Sequence, residues 1–299
     1  MKHLLRILLT LCFINPSLSS AQDTIPVTQS PMLMSLGTHN GFTVIIPQAR
    51  IKVVTNAWKK YVKRGETKSS VQENDDEFQI KGTILESISS QPINVYAQIK
   101  DMVTSVRLTA YYTEDDTNYV SSLASPEKAL AAEKLMKDFA RIQYRLAVEY
   151  EVEAETKKLA EMENQKEALI KANEKSEKTI GENERSIEHA KVEIEANSAA
   201  QTRRRSDVDG QKEVVRITTK KTETYDLEEK KLHSLEKELR KLESDGKNMH
   251  GDIDNWKSEN SQQQRNIEKN DELIKEKKEA IKLQKEHVKE VQTKLERIQ

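Results

Sequence analysis

The segment SPEKALAAEKLMKDFARIQYRLAVEY, residues 125–150, is where the chain changes character. Ser125 is a good N-cap, Pro126 is favoured at the first helical position, and Glu127 suits the first turn. Pro126 is also the last of six prolines, and the 173 residues from Glu127 to Gln299 contain none. Ala132, Leu135, Met136, Phe139, Ile142, Leu146 and Tyr150 form a broad apolar stripe that includes aromatics. Such a stripe suits docking on a sheet better than a narrow two-helix seam. Residues 126–152 are therefore expected to be a helix packed on whatever precedes them.

Downstream, over 153–299, the stripe narrows to a seam with 3-4 spacing. It reads Leu232, Leu235, Leu239, Leu242, Gly246, Met249, Ile253, Trp256, Asn260 and Gln263, then Ile267, Asn270, Ile274, Lys277, Ile281, Gln284, Val288, Val291, Leu295 and Ile298. Fourteen of these twenty positions are apolar, enough sustained heptads to predict a coiled coil. Leu159, Met162, Leu169, Ile180, Ile187, Ile194, Val208 and Val215 form the earlier half, with Asn173, Asn183, Asn197 and Gln211 among them. Polar seam residues cost stability but fix register and strand number; weak, frayed stretches would look the same.

A shift of 73 residues aligns Lys157-Lys158-Leu159 with Lys230-Lys231-Leu232, and Ile194-Glu195-x-Asn197 with Ile267-Glu268-x-Asn270, which suggests an internal duplication. The seam must then slip by three residues near Tyr225 to Leu232, overwinding or bending there. Asp207 to Gly210 could instead be a turn folding two arms into a hairpin, and Ser244 to Asp252 is a second weak point. The duplication argues against both, because each glycine region aligns with good helix formers. The expectation is helix through most of the region with at least one kink or turn. An isolated amphipathic seam is not stable in water, so it needs a partner. A homo-oligomer, most simply a dimer, is expected, with an intrachain hairpin as the alternative.

Upstream of 125 the punctuation is that of a globular domain. Residues 22–31 read as a polar linker, and 32–125 as an α+β domain. Met32 to Thr38 and Phe42 to Ile46 flank His39-Asn40-Gly41, a hairpin signal. Ala49 to Lys63 reads as a helix carrying Ile51, Val54, Trp58 and Tyr61, with Gly65 as its C-cap. Three strands come next: Phe78, Ile80 and Ile84 after an Asn74-Asp75-Asp76 turn, Ile93 to Ile99, and Val106 to Tyr112 beyond a turn near Asp101. Period-two alternation gives one buried and one wetter face. The fold class expected is thus a two-layer α+β sandwich, an antiparallel sheet with packed helices, followed by a long all-α coiled coil.

The first 21 residues read as a secretory signal. Lys2, His3 and Arg6 precede an apolar run from Ile7 to Ile14, and Ser19-Ser20-Ala21 is a small-x-small site, so cleavage is expected between Ala21 and Gln22. The run is too short to span a bilayer, and no later segment is apolar enough. Cys12, the single cysteine, lies inside this segment after Leu11, which does not suit lipidation. Without it the mature chain has no thiol, which excludes disulfides and thiolate chemistry.

Charged residues make up 33% of the chain and aromatics 5%, with a net charge of −1, which speaks against a dedicated nucleic-acid binder. Arg203-Arg204-Arg205 reads as a solvated helix face. His39, His189, His233, His250 and His287 are too dispersed for metal ligation, and Asp75-Asp76 and Asp115-Asp116 read as turn residues. No phosphate loop or nucleophile elbow is present in the sequence. No cofactor, metal or catalytic residue is expected.

Met34-Ser35-Leu36-Gly37, Asn40-Gly41-Phe42-Thr43-Val44-x-Ile46-Pro47 and Trp58-Lys59-Lys60-Tyr61, ahead of a C-terminal coiled coil, together resemble an uncharacterised family of exported bacterial proteins with a small α+β head and a helical tail. The resemblance spans nearly the whole mature chain and implies architecture rather than activity. The functional expectation is an exported, non-enzymatic structural or scaffolding protein of the bacterial cell envelope, periplasmic or secreted. The alternative is a peptide- or ligand-binding head carried on a helical stalk, for instance by strand addition at a sheet edge.

Overall fold

The computed structural model describes residues 25–63, 69–74 and 77–298. The expected signal segment, with Cys12, Ala21 and Gln22, lies outside them, as do Gly65 and Asp75-Asp76. The chain forms two compact units: residues up to Lys157 together with Glu286–Gln299, and Lys158–Lys285.

Among the described residues the first unit, the head, holds six strands: β1 (Val27–Met34), β2 (Gly37–Pro47), β3 (Ser70–Asn74), β4 (Glu77–Leu85), β5 (Ser89–Met102) and β6 (Ser105–Thr113). They form one antiparallel sheet in the order β1-β2-β6-β5-β4-β3. Helix α1 (Ile51–Lys63) links β2 to β3, α2 (Pro126–Ile217) starts beyond β6, and α3 (Glu223–Arg297) comes last. Alternation on the strands sends Phe42, Val44 and Ile46, Val95, Ala97 and Ile99, and Val106, Leu108, Ala110 and Tyr112 to one face. There they meet Val54, Trp58 and Val62 of α1 and Leu135, Met136 and Phe139 of α2. Trp58 and Phe139 meet edge to face at 4.9 Å between centroids. Thr83 Oγ1, fully buried, donates to the Val62 carbonyl at 2.8 Å and so satisfies an acceptor in the last turn of α1. Val291 and Ile298, from the far end of the chain, belong to the same core, and Leu295 packs against it.

Several details differ from the sequence reading. β1 starts at Val27, inside the expected linker, and contains Pro31, which an edge strand tolerates. The β1–β2 turn is Ser35-Leu36, between the paired Met34 and Gly37, and not His39-Asn40-Gly41. Gly37, at φ 112°, supplies the backbone conformation that this turn needs. The meander has four strands, because the short edge strand β3 precedes β4. In the α2 stripe Ile142 and Tyr150 are about half exposed, and Gln143, Tyr144 and Val148 face inward in their place.

Asn40-Gly41 has a different use. β2 pairs with β6 only from Phe42 onward, so Gly41 lies where the strand leaves the sheet. A Cβ on Gly41 would lie 2.8 Å from both Thr109 Cγ2 and Tyr111 Cε1. The tip of the β1–β2 hairpin reaches the second face of the sheet, where Met34 packs with Tyr96 and Tyr111. Ser35 N donates to Glu77 Oε2 at 3.0 Å, its hydroxyl donates to Glu77 Oε1, and Gln98 Nε2 donates to the Leu33 carbonyl at 3.1 Å.

In the second unit the remainder of α2 pairs antiparallel with α3. Asn270 Nδ2 donates to Asn173 Oδ1 at 2.9 Å, Asn183 Nδ2 to Asn260 Oδ1 at 2.9 Å, Gln201 Nε2 to the Leu242 carbonyl at 3.2 Å, and Gln211 Nε2 to the Glu228 carbonyl at 3.0 Å. Ile187, Ala190 and Ile253 form an apolar cluster flanked by Ile194 and Trp256. The break between the helices falls at residues 218–222, where Lys221 has φ 66°. Gly210, Gly246 and Gly251 are helical, so neither glycine region is the turn. Thr222 caps α3, its hydroxyl accepting from Tyr225 N at 3.2 Å. The seam, for which the sequence reading expected a second chain with an intrachain hairpin as the alternative, meets the chain's own other helix along these contacts.

Candidate functional site

The seam residues expected from sequence take inward positions. Ile253, Ile267, Ile274, Ile281 and Val288 are buried, and Leu232, Leu235, Leu239, Leu242 and Leu295 are half-buried. Asn173 and Asn183 are buried as well, each bonded to α3. The histidines are dispersed over both units. His39 stacks on Tyr119 at 3.7 Å, while His189, His233 and His287 lie on exposed helix faces beside glutamates of their own helices. Among the described residues no group of three or more His, Cys, Asp or Glu side chains could hold a metal ion. No helix there is long and apolar enough to cross a membrane.

Two places on the head combine polar groups with burial. The first is the second face of the sheet, under the hairpin tip. Tyr96 Oη donates to Asp116 Oδ1 at 2.8 Å, and Asn94 Nδ2 donates to the same oxygen at 2.9 Å. Burial, then the hydrogen bond and charge of Asp116, push the Tyr96 hydroxyl well above the ordinary phenol range. Burial, with the Glu77 carboxylate as a lesser cause, pushes Tyr111 up to about 12. These phenols stay protonated at any ordinary pH, and the side chains lock the tip in place.

The second is a groove of about 210 Å³ beside the start of α1. Gln48, Ala49, Arg50 and Val53 line one side, and Gln143, Leu146, Ala147, Tyr150, Glu151 and Ala154 of α2 line the other. Alanines leave the space. α1 contains no acidic residue, and no Ser, Thr, Asp or Asn occupies its cap, because the Arg50 carbonyl accepts the first helical bonds from Val53 and Val54. Among the described residues the N–H groups of Ile51 and Lys52 have no acceptor. Arg50 and Lys52 add cations where the helix dipole is already positive, an arrangement that favours an anion.

Across the groove Lys294 occupies Glu151 at 3.2 Å and Gln48 Oε1 at 2.6 Å, so the one acidic side chain of the lining is neutralised. Gln48 is held at φ 56°, a conformation that non-glycine residues rarely adopt, and its N–H donates to the Thr104 carbonyl at 2.8 Å. Gln143 is 6% exposed and its Oε1 has no hydrogen-bond partner. A buried amide oxygen without a donor is costly and calls for an explanation. Sequence reasoning missed this groove. Its one local signal was a helix start carrying Arg50 and Lys52 in place of a cap.

The sheet edges are less suited to strand addition. On β1 the Leu33 carbonyl points to the free edge and is already occupied by Gln98. Pro31, two residues earlier, falls on the same edge and offers no N–H. β3 is five residues long. No family model, no curated protein and no solved structure matches the chain.

Proposed function

We propose that this is an exported scaffolding protein of the bacterial cell envelope, in which a self-paired antiparallel coiled coil serves as a spacer and the α+β head as its anchor. The observation that carries the reading is the pairing of α2 with α3 through both apolar and polar layers. Ile267, Ile274, Ile281 and Val288 recur every seven residues on the buried side of α3, the period of a left-handed coiled coil. Asn173 with Asn270 and Asn183 with Asn260 set the register, because a slip would strand each carboxamide against an apolar neighbour. Sixty helical residues on the α2 side of the second unit, from Lys158 to Ile217, correspond to about 90 Å of rise. Export rests on the expected signal at 1–21, and the absence of a recognisable catalytic constellation in the sequence favours a structural role over an enzymatic one.

The test is an Ile187→Cys/Ile253→Cys chain expressed in a bacterial host with its own signal segment. Mass spectrometry of the exported product should find Gln22 at the N-terminus and one disulfide within a single chain. Retention of residues 1–21, or a disulfide joining two chains, would refute it. Leu239→Cys alone should give no dimer, whereas a parallel, in-register pair of chains would crosslink there.

A further inference from the structure

We propose that the outer part of the β1–β2 hairpin, residues 31–40, is a lid over the second face of the sheet, latched at Glu77 and poised to open without unfolding of the head. This is independent of the spacer reading, which concerns the second unit. Beyond Ser30 and Gly41 the two strands pair only with each other, because β2 joins β6 from Phe42 onward and β1 is an edge strand. Among the described residues no backbone hydrogen bond ties this ribbon to another element. A few side chains hold it down. Ser35 gives its N–H and its hydroxyl to the two Glu77 oxygens. Gln98 Nε2 donates to the Leu33 carbonyl at 3.1 Å and to Glu77 Oε2 at 3.3 Å. Met34 packs on Tyr96 and Tyr111, and His39 stacks on Tyr119. An open cleft between Pro31–Ser35 and the Gln98 and Lys100 side of β5 undercuts the ribbon.

Closure also strands two polar atoms. The hydroxyls of Tyr111 and Tyr119 are buried and have no hydrogen-bond partner. Both side chains lie against the ribbon. A Cβ on Gly41 would lie 2.8 Å from Tyr111 Cε1 and 3.1 Å from its Cζ, and the Tyr119 ring carries His39 at 3.7 Å. With the ribbon lifted, water would satisfy both phenols. A buried hydroxyl without a partner opposes its own burial by roughly tenfold in the equilibrium, so two of them set against a few latch contacts leave closed and open forms close in free energy. Orphaned buried groups in a native protein call for an explanation, and a cover that can be raised supplies one. Gly41, at the point where the ribbon leaves the sheet, is the natural hinge, and its missing side chain lets the closed ribbon settle on Tyr111. Opening uncovers Tyr96, Tyr111 and Tyr119 and frees the Glu77 carboxylate, an aromatic and acidic surface that the closed form hides. The Tyr96 hydroxyl keeps its bond to Asp116, which lies outside the ribbon.

The experiment is native-state hydrogen exchange on the ¹⁵N-labelled full chain, with the Ser35 N–H, held by Glu77 alone, reporting the lid and the β6 amides reporting the head. Ser35 should exchange about a hundredfold faster than β6, or more, and its rate should not respond to about 1 M urea, because lifting the ribbon exposes little surface. Glu77→Gln, which keeps the shape and removes the charge of the latch, should speed Ser35 by about tenfold relative to β6. Tyr111→Phe, which keeps the ring and removes a stranded hydroxyl, should slow Ser35 by about tenfold on the same scale. A residue that merely packs would speed exchange when trimmed, so the slowing is the signature of a phenol that opposes closure. The proposal is overturned if Ser35 exchanges in step with β6, if Glu77→Gln leaves the ratio of the two rates unchanged, or if Tyr111→Phe fails to lower it.

Discussion

Val291→Ala/Ile298→Ala, made in the full chain, tests whether the last residues are structural members of the head. Each side chain is 4% exposed and lies in the core with Trp58 and Phe139. The pair of substitutions removes five methylene equivalents, worth about 0.8 kcal/mol apiece, or about 4 kcal/mol in transfer free energy. Incomplete collapse around the vacated space raises the loss to about 4–6 kcal/mol. Domains have about 5–15 kcal/mol in total, so the head should be close to its limit. Trp58 reports the head and Trp256 the helical pair, which allows the two to be read apart. In a Trp256→Phe background, urea unfolding followed by Trp58 fluorescence should lose about 2 M in midpoint, taking a slope near 2 kcal/mol per molar. A shift below about 0.3 M would mean that these residues contribute no core, and the reasoning would fail.

Gly41→Ala should cost the head about 1–3 kcal/mol, because the new methyl would meet Thr109 and Tyr111 at 2.8 Å; calorimetry of the full chain checks it, and an unchanged melting transition contradicts the close approach. Asn173→Leu/Asn270→Leu should raise the melting temperature of the helical pair by removing a buried polar pair, yet admit disulfides one heptad out of register. Crosslinking of cysteine pairs in both registers measures that loosening, and unchanged specificity would show that the asparagines set nothing. Asp115 is held down to about 2 from its ordinary 3.8, by N–H donation from Asn118 first and then by the Thr117 hydroxyl, the Asn118 side chain and Thr117 N–H. A lowered folded value means that its contribution is present above about pH 4 and is lost as pH falls through about 2. A ¹³C titration of its carboxyl group should find that midpoint, and an ordinary one would contradict the loop geometry.

Much of the fold was legible because period-two and 3-4 patterns are local. Ile93 to Ile99 and Val106 to Tyr112 announced β5 and β6, and Ser125-Pro126-Glu127 announced the start of α2. The misread elements depended on neighbours distant in sequence. Pro31 looks like a stop until β1 is known to be an edge, and Ser70–Asn74 has too little apolar content to register as a strand until β4 pairs with it. Asn40-Gly41 carries a turn signature, but its glycine serves the passage of a strand against Tyr111, a requirement invisible without β6. The seam showed where apolar residues lie but not which helix would cover them; that depended on a break at residues 218–222, which holds no glycine or proline. The groove was least legible, since Arg50 and Gln143 acquire meaning only when α1 and α2 lie side by side.

The presence of Val291 and Ile298 in the head core also sets an order of events in time. The sheet, α1 and the start of α2 are all synthesised by about Val152, yet the core lacks members that arrive 139 residues later. At the usual elongation rates that interval is roughly 7 to 28 s. Lys294 then reaches Gln48 across 246 residues of sequence. Until then the core of the head is short of Val291 and Ile298, so the head reaches its full stability only after the end of α3 has been made.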